Sequence, residues 1–181
     1  MLTLQNTKAS QQRTGNWGNV MQLRPYQQDA VDSAIAWMRK STEPALLGLS
    51  TGAGKSHIAA AIALWITQKT GKKVLVLQPS KELTSQNFEK YLATGEKASI
   101  FSASANSKCT RYDVIYGTPK TVLNSIERFG DKFGLIIIDE CHQITPTIKE
   151  IISKIKSKNE RLRVIGMTAT PYRMNTGYIY H

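Results

Sequence analysis

The sequence predicts an α/β domain, a mostly parallel sheet with helices on both faces. Short aliphatic runs alternate with helical stretches along most of the chain. The runs Val74–Leu77, Leu135–Ile138 and Val164–Met167 are apolar at nearly every position, as strands buried on both faces must be. A glycine-rich turn also lies between one such run and a long helix, the position of a ligand loop at the carboxyl edge of a parallel sheet.

The first twenty residues are rich in Gln, Asn, Thr, Ser and Gly without periodicity, and are expected to form a flexible arm (1–20) ahead of one domain (21–181). Pro25 suits the first turn of a helix, and Ala30, Val31, Ala34, Ile35 and Met38 then share one face. Ala45 to Leu49 reads as a strand running into the glycine-rich turn. Ser56 to Gln68 is a helix apolar almost all round, hence buried. Val74–Leu77 is a strand ended by Gln78 and Pro79, and Glu82 to Leu92 is helical. Ile100–Phe101 is a weaker strand. Val114–Tyr116 is another, closed by Gly117 and Pro119, with a helix predicted over Thr121 to Arg128. Leu135–Ile138 is the strongest strand. Ile148, Ile151, Ile152 and Ile155 stripe a further helix before the last strand, Val164–Met167.

Composition narrows the class. With 181 residues, 41% hydrophobic and 20% charged, the chain can bury a core and does not read as disordered. No apolar run approaches the roughly 18 residues of a membrane span, and the N-terminus shows no signal-peptide core. The expectation is a cytoplasmic protein, nucleoid-associated if bacterial, with no membrane partner. Lys and Arg number 24 against 13 Asp and Glu, a net charge of +11. That surplus suits a polyanion, nucleic acid first, and equally a plain basic surface. Two cysteines without C-x-x-C spacing and three scattered histidines give a zinc site little to build on.

Two segments carry chemistry. In Thr51-Gly-Ala-Gly-Lys-Ser56 the glycines free backbone N–H groups to curl around phosphate oxygens, and the following helix adds the positive end of its dipole. Lys55 would reach the β- and γ-phosphates and the Ser56 hydroxyl would ligate Mg²⁺. The full G-x-x-x-x-G-K-[ST] pattern wants glycine where Leu49 stands; Gly48 is one place early. At the end of the strongest strand come Asp139 and Glu140, a pair that burial would penalise without a use. Beside a phosphate loop, Asp139 would hold Mg²⁺ and Glu140 would deprotonate the attacking water.

The ordered set Leu23-Arg-Pro-Tyr-Gln27, Ser50 to Ser56, Pro79-Ser-Lys-Glu-Leu-Thr-Ser-Gln86, Gly117-Thr-Pro119, Asp139-Glu-Cys-His142 and Thr168-Ala-Thr-Pro171 resembles the first RecA-like domain of a superfamily-two helicase of the DExH type. The resemblance covers Leu23 to about Arg173. Leu23 to Gln28, Gly166 to Arg173 and Gly177-Tyr-Ile-Tyr look most like bacterial RadD-type DNA-repair ATPases.

The resemblance implies a RecA-like P-loop NTPase fold with ATP and Mg²⁺ as cofactors. Its phosphate cradle would be Thr51, Gly52, Ala53, Gly54, Lys55 and Ser56. Gln27 would read adenine with Arg24 close by; the plain alternative for Gln27 is a solvent-facing helix position. His142, Thr168 and Thr170 would couple nucleotide to nucleic acid. Pro79, Ser80, Lys81, Thr118 and Lys120 would hold the backbone of single-stranded or branched DNA, and Ser80 and Thr118 would serve equally as helix caps. Lys149, Lys154, Lys156 and Lys158 read as a solvated helix face. Family members also need a second RecA-like domain, which supplies arginine fingers, so this chain is expected to be half of a motor with little activity alone. Its function would be that of a DNA-dependent ATPase or helicase in DNA repair or processing. A binding module without catalysis, or another P-loop enzyme such as a small-molecule kinase, stays open beside it.

Overall fold

In the computed structural model, residues 22–103, 106–141 and 144–169 and the short strand segments 172–173 and 177–178 are described. The arm expected over 1–20 lies outside them. The elements run α1 (Pro25–Lys40), β1 (Ala45–Gly48), α2 (Lys55–Thr70), β2 (Lys73–Leu77), α3 (Lys81–Leu92), β3 (Ala98–Ser102), β4 (Ser107–Lys108), β5 (Val114–Gly117), α4 (Pro119–Leu123), β6 (Phe133–Ile138), α5 (Pro146–Lys156), β7 (Arg163–Thr168), β8 (Tyr172–Arg173) and β9 (Gly177–Tyr178).

Seven strands form one sheet in the order β1-β7-β6-β2-β5-β3-β4, parallel throughout except for β4. The pleat sends alternate side chains to opposite faces. Val74, Val76, Leu135, Ile137, Ile165 and Met167 meet α1, α2 and α3 on one face. Leu75, Leu77, Ile136, Ile138 and Val164 share a core with α4 and α5 on the other. This double burial is why the strands read as continuous aliphatic runs. In α2 an unbroken buried stretch from Ile58 to Ile66 is wedged between the sheet and its neighbouring helices.

The register aligns the carboxyl ends. Gly48 lies opposite Thr168, Ile138 opposite both Gly166 and Leu77, and Leu77 opposite Gly117. The turns after β1, β2, β5 and β6 therefore emerge along one edge. Two caps fix where helices begin there: Ser80 Oγ accepts from Leu83 N–H at 3.2 Å and Thr145 Oγ1 from Ile148 N–H at 3.3 Å.

Two local features differ from the sequence expectation. The helix predicted over Thr121 to Arg128 is split into α4 and a 3₁₀ turn at Ile126–Arg128, because Ser125 leaves helical geometry at φ −135°, ψ 35°. The break drops Phe129 into the core, its ring edge-on to Phe101 at 5.0 Å and tilted against Phe133 at 5.1 Å. The second is β4, two polar residues running antiparallel to β3 at the sheet's end, a short edge that offers little to further pairing. Just beyond it Ser99 Oγ lies 3.5 Å from Cys109 Sγ, and that hydrogen bond holds the thiol below its ordinary pKa.

Gly166 is required by packing. A Cβ there would sit 2.6 Å from Cys141 Sγ and 3.2 Å from Leu46 Cδ1, where β7 passes beneath the turn after β6. Gly166→Ala should cost about 1–3 kcal/mol, each kcal/mol lowering Tm by roughly 2–4 °C in a chain of this size. Adding Cys141→Ala should recover part of the loss. Thermal melts of the two single variants and the double variant check this; strictly additive losses would rule out the steric reason.

Candidate active site

The glycine-rich turn joins β1 to α2 through two left-handed glycines, Gly52 at φ +81° and Gly54 at φ +75°. Above Gly52 the space is open: a Cβ would meet no atom within 4 Å. At Gly54 a Cβ would lie 2.4 Å from Gln27 Nε2, so glycine is required there by conformation and by close approach. Leu49, the departure from the usual loop, half-buries its side chain against the core while its N–H donates to the Thr168 carbonyl at 2.9 Å.

The first helix clamps this loop. Gln27 is buried, its Nε2 donating to Ala53 O and its Oε1 accepting from Arg24 N–H, each at 2.9 Å. Tyr26 Oη donates to the same Ala53 carbonyl at 3.2 Å. Gln27 is thus no solvent-facing helix residue. One amide N–H and one lone pair remain for an outside partner. The Arg24 side chain is exposed, as is Thr51.

Across from the loop, Glu140 adopts φ +51°, a left-handed turn just past β6, and its carboxylate forms an ion pair with Lys55 Nζ. Ser56 follows Lys55 in the first turn of α2, half-buried. Asp139 is 8% exposed; its Oδ1 accepts from Glu140 N–H at 3.0 Å and its Oδ2 from Asn87 Nδ2 at 3.3 Å. Burial pushes the Asp139 carboxyl above its ordinary pKa. Lys55 pulls against that shift, the Glu140 charge adds to it, and hydrogen bonds from Glu140 N–H and Gln78 oppose it. Burial likewise pushes the Cys141 thiol up to about 12.

Sequence reasoning missed Asn87, Gln78 and Tyr26. Asn87 had a signal: with Thr84 and Tyr91 it forms the buried stripe of α3, a polar residue where an apolar one is expected. Gln78 reads as a strand terminator, yet it is 2% exposed and acts to lower the Asp139 pKa, while its Oε1 has no partner among the described residues.

The sites expected for coupling and strand binding lie beside this cluster. Thr168 is fully buried at the end of β7, and the neighbouring Met167 carbonyl accepts from Cys141 N–H at 3.0 Å. His142 and Thr170 lie outside the described residues. A cavity of about 600 Å³ is lined by Pro79, Thr118 and Lys120 together with Asp139 and Glu140. Thr118 Oγ1 is within 2.9 Å of Thr121 Oγ1, Ser80 is engaged as the cap of α3, and Lys81 is exposed outside the cavity. Lys149, Lys154, Lys156 and Lys158 are solvent-exposed, with Lys154 paired to Glu150 at 2.9 Å.

Residues 20–173 match the family described as "Type III restriction enzyme, res subunit". The chain belongs to this family. Among curated relatives of this res-subunit family member, a putative ATP-dependent RNA helicase of African swine fever virus is 31% identical over 153 residues, 81% of this chain and 28% of the relative. The ATP-dependent DNA helicase uvsW of phage T4 is 31% identical over 152 residues, 80% of this chain and 29% of the relative. The chain therefore spans less than a third of these proteins. The crystal structure of the Hef helicase domain from Pyrococcus furiosus superposes with a TM-score of 0.67 at 27% identity, covering 84% of this chain and 34% of that one. The res-subunit family member is a RecA-like domain of the superfamily-two helicase kind.

Because the folded state raises the Asp139 pKa, it binds that proton more readily than the unfolded chain. The resulting contribution to stability is complete below the unfolded pKa and is lost as pH rises through the folded one. Asp139→Asn should thus raise Tm at pH 7 by roughly 2–4 °C, the equivalent of about 1 kcal/mol. The gain should shrink as pH falls into the carboxylate range. Melts from pH 4 to 8 check the sign; a gain that grows toward acid would contradict it.

Proposed function

We propose that this chain is the ATP-binding domain of a nucleic-acid-dependent ATPase or helicase. The observation that carries this reading is the ion pair between Lys55, at the start of α2, and Glu140, past β6. That contact supports pairing the glycine-loop cation with Glu140 as the candidate base, and Glu140 also lines the cavity it shares with Pro79, Thr118 and Lys120.

The residues fit a nucleoside triphosphate with Mg²⁺. Open space above Gly52 leaves room for a phosphate among the N–H groups of Thr51, Gly52 and Gly54, Ala53 N–H being engaged with Ser50 O at 3.0 Å, and Lys55 would exchange Glu140 for the β- and γ-oxygens. Ser56 Oγ and the Asp139 carboxylate would hold the metal. Bound Mg²⁺ would neutralise charge on the phosphates. Glu140, released from Lys55, would orient a water and take its proton. The free N–H and lone pair of Gln27 match N7 and N6–H of adenine, with Arg24 alongside. Thr168, whose carbonyl holds Leu49, would link nucleotide to strand together with His142 and Thr170.

Pro79, Ser80, Lys81, Thr118 and Lys120 would grip a single strand, DNA on the RadD-like resemblance. The finer DExH assignment rests on Asp139-Glu-Cys-His142. A second RecA-like domain would supply the arginine finger, worth roughly 10³–10⁵ in rate in related chemistry, so this chain alone should turn over slowly.

Lys55→Ala should weaken ATP binding by about a hundredfold, the loss of a charge-assisted contact. Glu140→Gln should keep binding and lower hydrolysis by about 10²–10⁴. Calorimetry and phosphate release check the pair, and a Glu140 variant as active as the parent would remove it as base. Gln27→Ala should weaken both ATP and inorganic triphosphate, because it unclamps the loop, and ATP by about tenfold more. Equal losses would limit Gln27 to holding Ala53.

A further inference from the structure

At the opposite edge of the sheet, the starts of β6 and β7, the residue ahead of β2 and the C-terminal ends of α1 and α2 enclose a second cavity of about 520 Å³. Its floor is apolar, formed by Met38, Trp65 and Ile66. Its rim carries Arg39, Lys72, Arg161 and Arg163, and among the described residues no acidic side chain lines it. Among the described residues none of these four cations has an ion-pair partner.

Their contacts orient them without neutralising them. Lys72 Nζ donates to Asp131 O at 2.9 Å. Arg163 donates from Nε to Met38 O at 3.0 Å and from Nη1 to Arg161 O at 2.6 Å. The Arg39 guanidinium lies 5.3 Å over the Trp65 ring. Four like charges around one pit repel each other, and a carboxylate-bearing occupant would relieve that repulsion.

We propose that this cavity docks an acidic peptide segment of a partner protein, its carboxylates on the rim and one apolar side chain in the pit. Three of the four cations are arginines, whose planar forks match carboxylates. None of the given residues outside the described ones is acidic: positions 1–21 hold Lys8 and Arg13, and positions 170–181 hold Arg173. A second copy is a poor fit at a net charge of +11. Nucleic acid fits less well, because Arg39 already covers the Trp65 ring that a base would stack on, and the cations circle a pit and follow no backbone track. The cavity is a strand's length from the glycine loop, so both can be occupied together.

The test titrates the protein, at about 50 mM salt where surface charges are little screened, into a fluorescein-labelled peptide of consecutive aspartates ending in phenylalanine. Companion peptides replace the aspartates by asparagine or the phenylalanine by glycine, and labelled oligothymidylate is run alongside. Saturable binding is expected, about tenfold weaker with Arg161→Glu or Arg39→Glu, and about tenfold weaker with either companion peptide. Lys149→Ala, on the exposed face of α5, should leave peptide binding unchanged. Lys72→Glu, on an exposed turn, repeats the test should a melt show Arg39→Glu unfolded. Peptide binding indifferent to the rim substitutions overturns the proposal. So does binding that ignores loss of the phenylalanine, or an Arg161→Glu defect confined to oligothymidylate.

Discussion

Four main-chain hydrogen bonds across the carboxyl edge of the sheet hold every other feature of the site. Leu49 N–H donates to Thr168 O, Cys141 N–H to Met167 O, Asp139 N–H to Leu77 O and Gln78 N–H to Gly117 O, all at 2.9–3.0 Å. Those from Leu49, Gln78 and Asp139 continue the parallel ladder one residue beyond a strand, and the one from Cys141 ties down the turn three residues past β6. The glycine loop, the acidic turn and the turn after β2 are thereby registered to one another by backbone. Side chains are then free to carry chemistry instead of holding position. The strands can offer this frame because both faces are buried, with Leu75, Ile115, Ile136, Ile137 and Ile165 fully inaccessible.

The same frame sets the electrostatics. Asp139 is buried where its charge is unfavourable, and Glu140 is turned out through a left-handed backbone to meet Lys55. One carboxylate is thus enclosed and one reachable, separated by a single peptide bond. Asn87 and the Glu140 N–H supply hydrogen bonds that keep the enclosed one tolerable. An arrangement that costs stability at a ligand site is the usual sign of geometry kept for function.

The fold was legible because its strongest signals were long-range averages. Aliphatic runs at Val74–Leu77 and Leu135–Ile138, and the isoleucine stripe of α5, follow from burial on two faces or one. The loop was legible because Gly52, Gly54 and Lys55 are local chemistry. Contacts between segments far apart in sequence were hidden. Nothing in Leu23 to Gln28 announces that Gln27 reaches Ala53, and nothing in α3 names Asp139 as the partner of Asn87. The split of the helix predicted over Thr121 to Arg128 also escaped, since it is decided by where Phe129 finds its aromatic neighbours.

The two thiols divide the chain's exposure to oxidants unequally. Cys109, half-exposed at the sheet's rim with a lowered pKa, carries more thiolate and meets peroxide or a disulfide-bearing reagent first. Cys141 is buried against β7 with its pKa pushed up to about 12, although it adjoins the carboxylates. Oxidative damage and thiol labels alike are therefore steered to the far end of the sheet, and the acidic turn is spared without any dedicated protection.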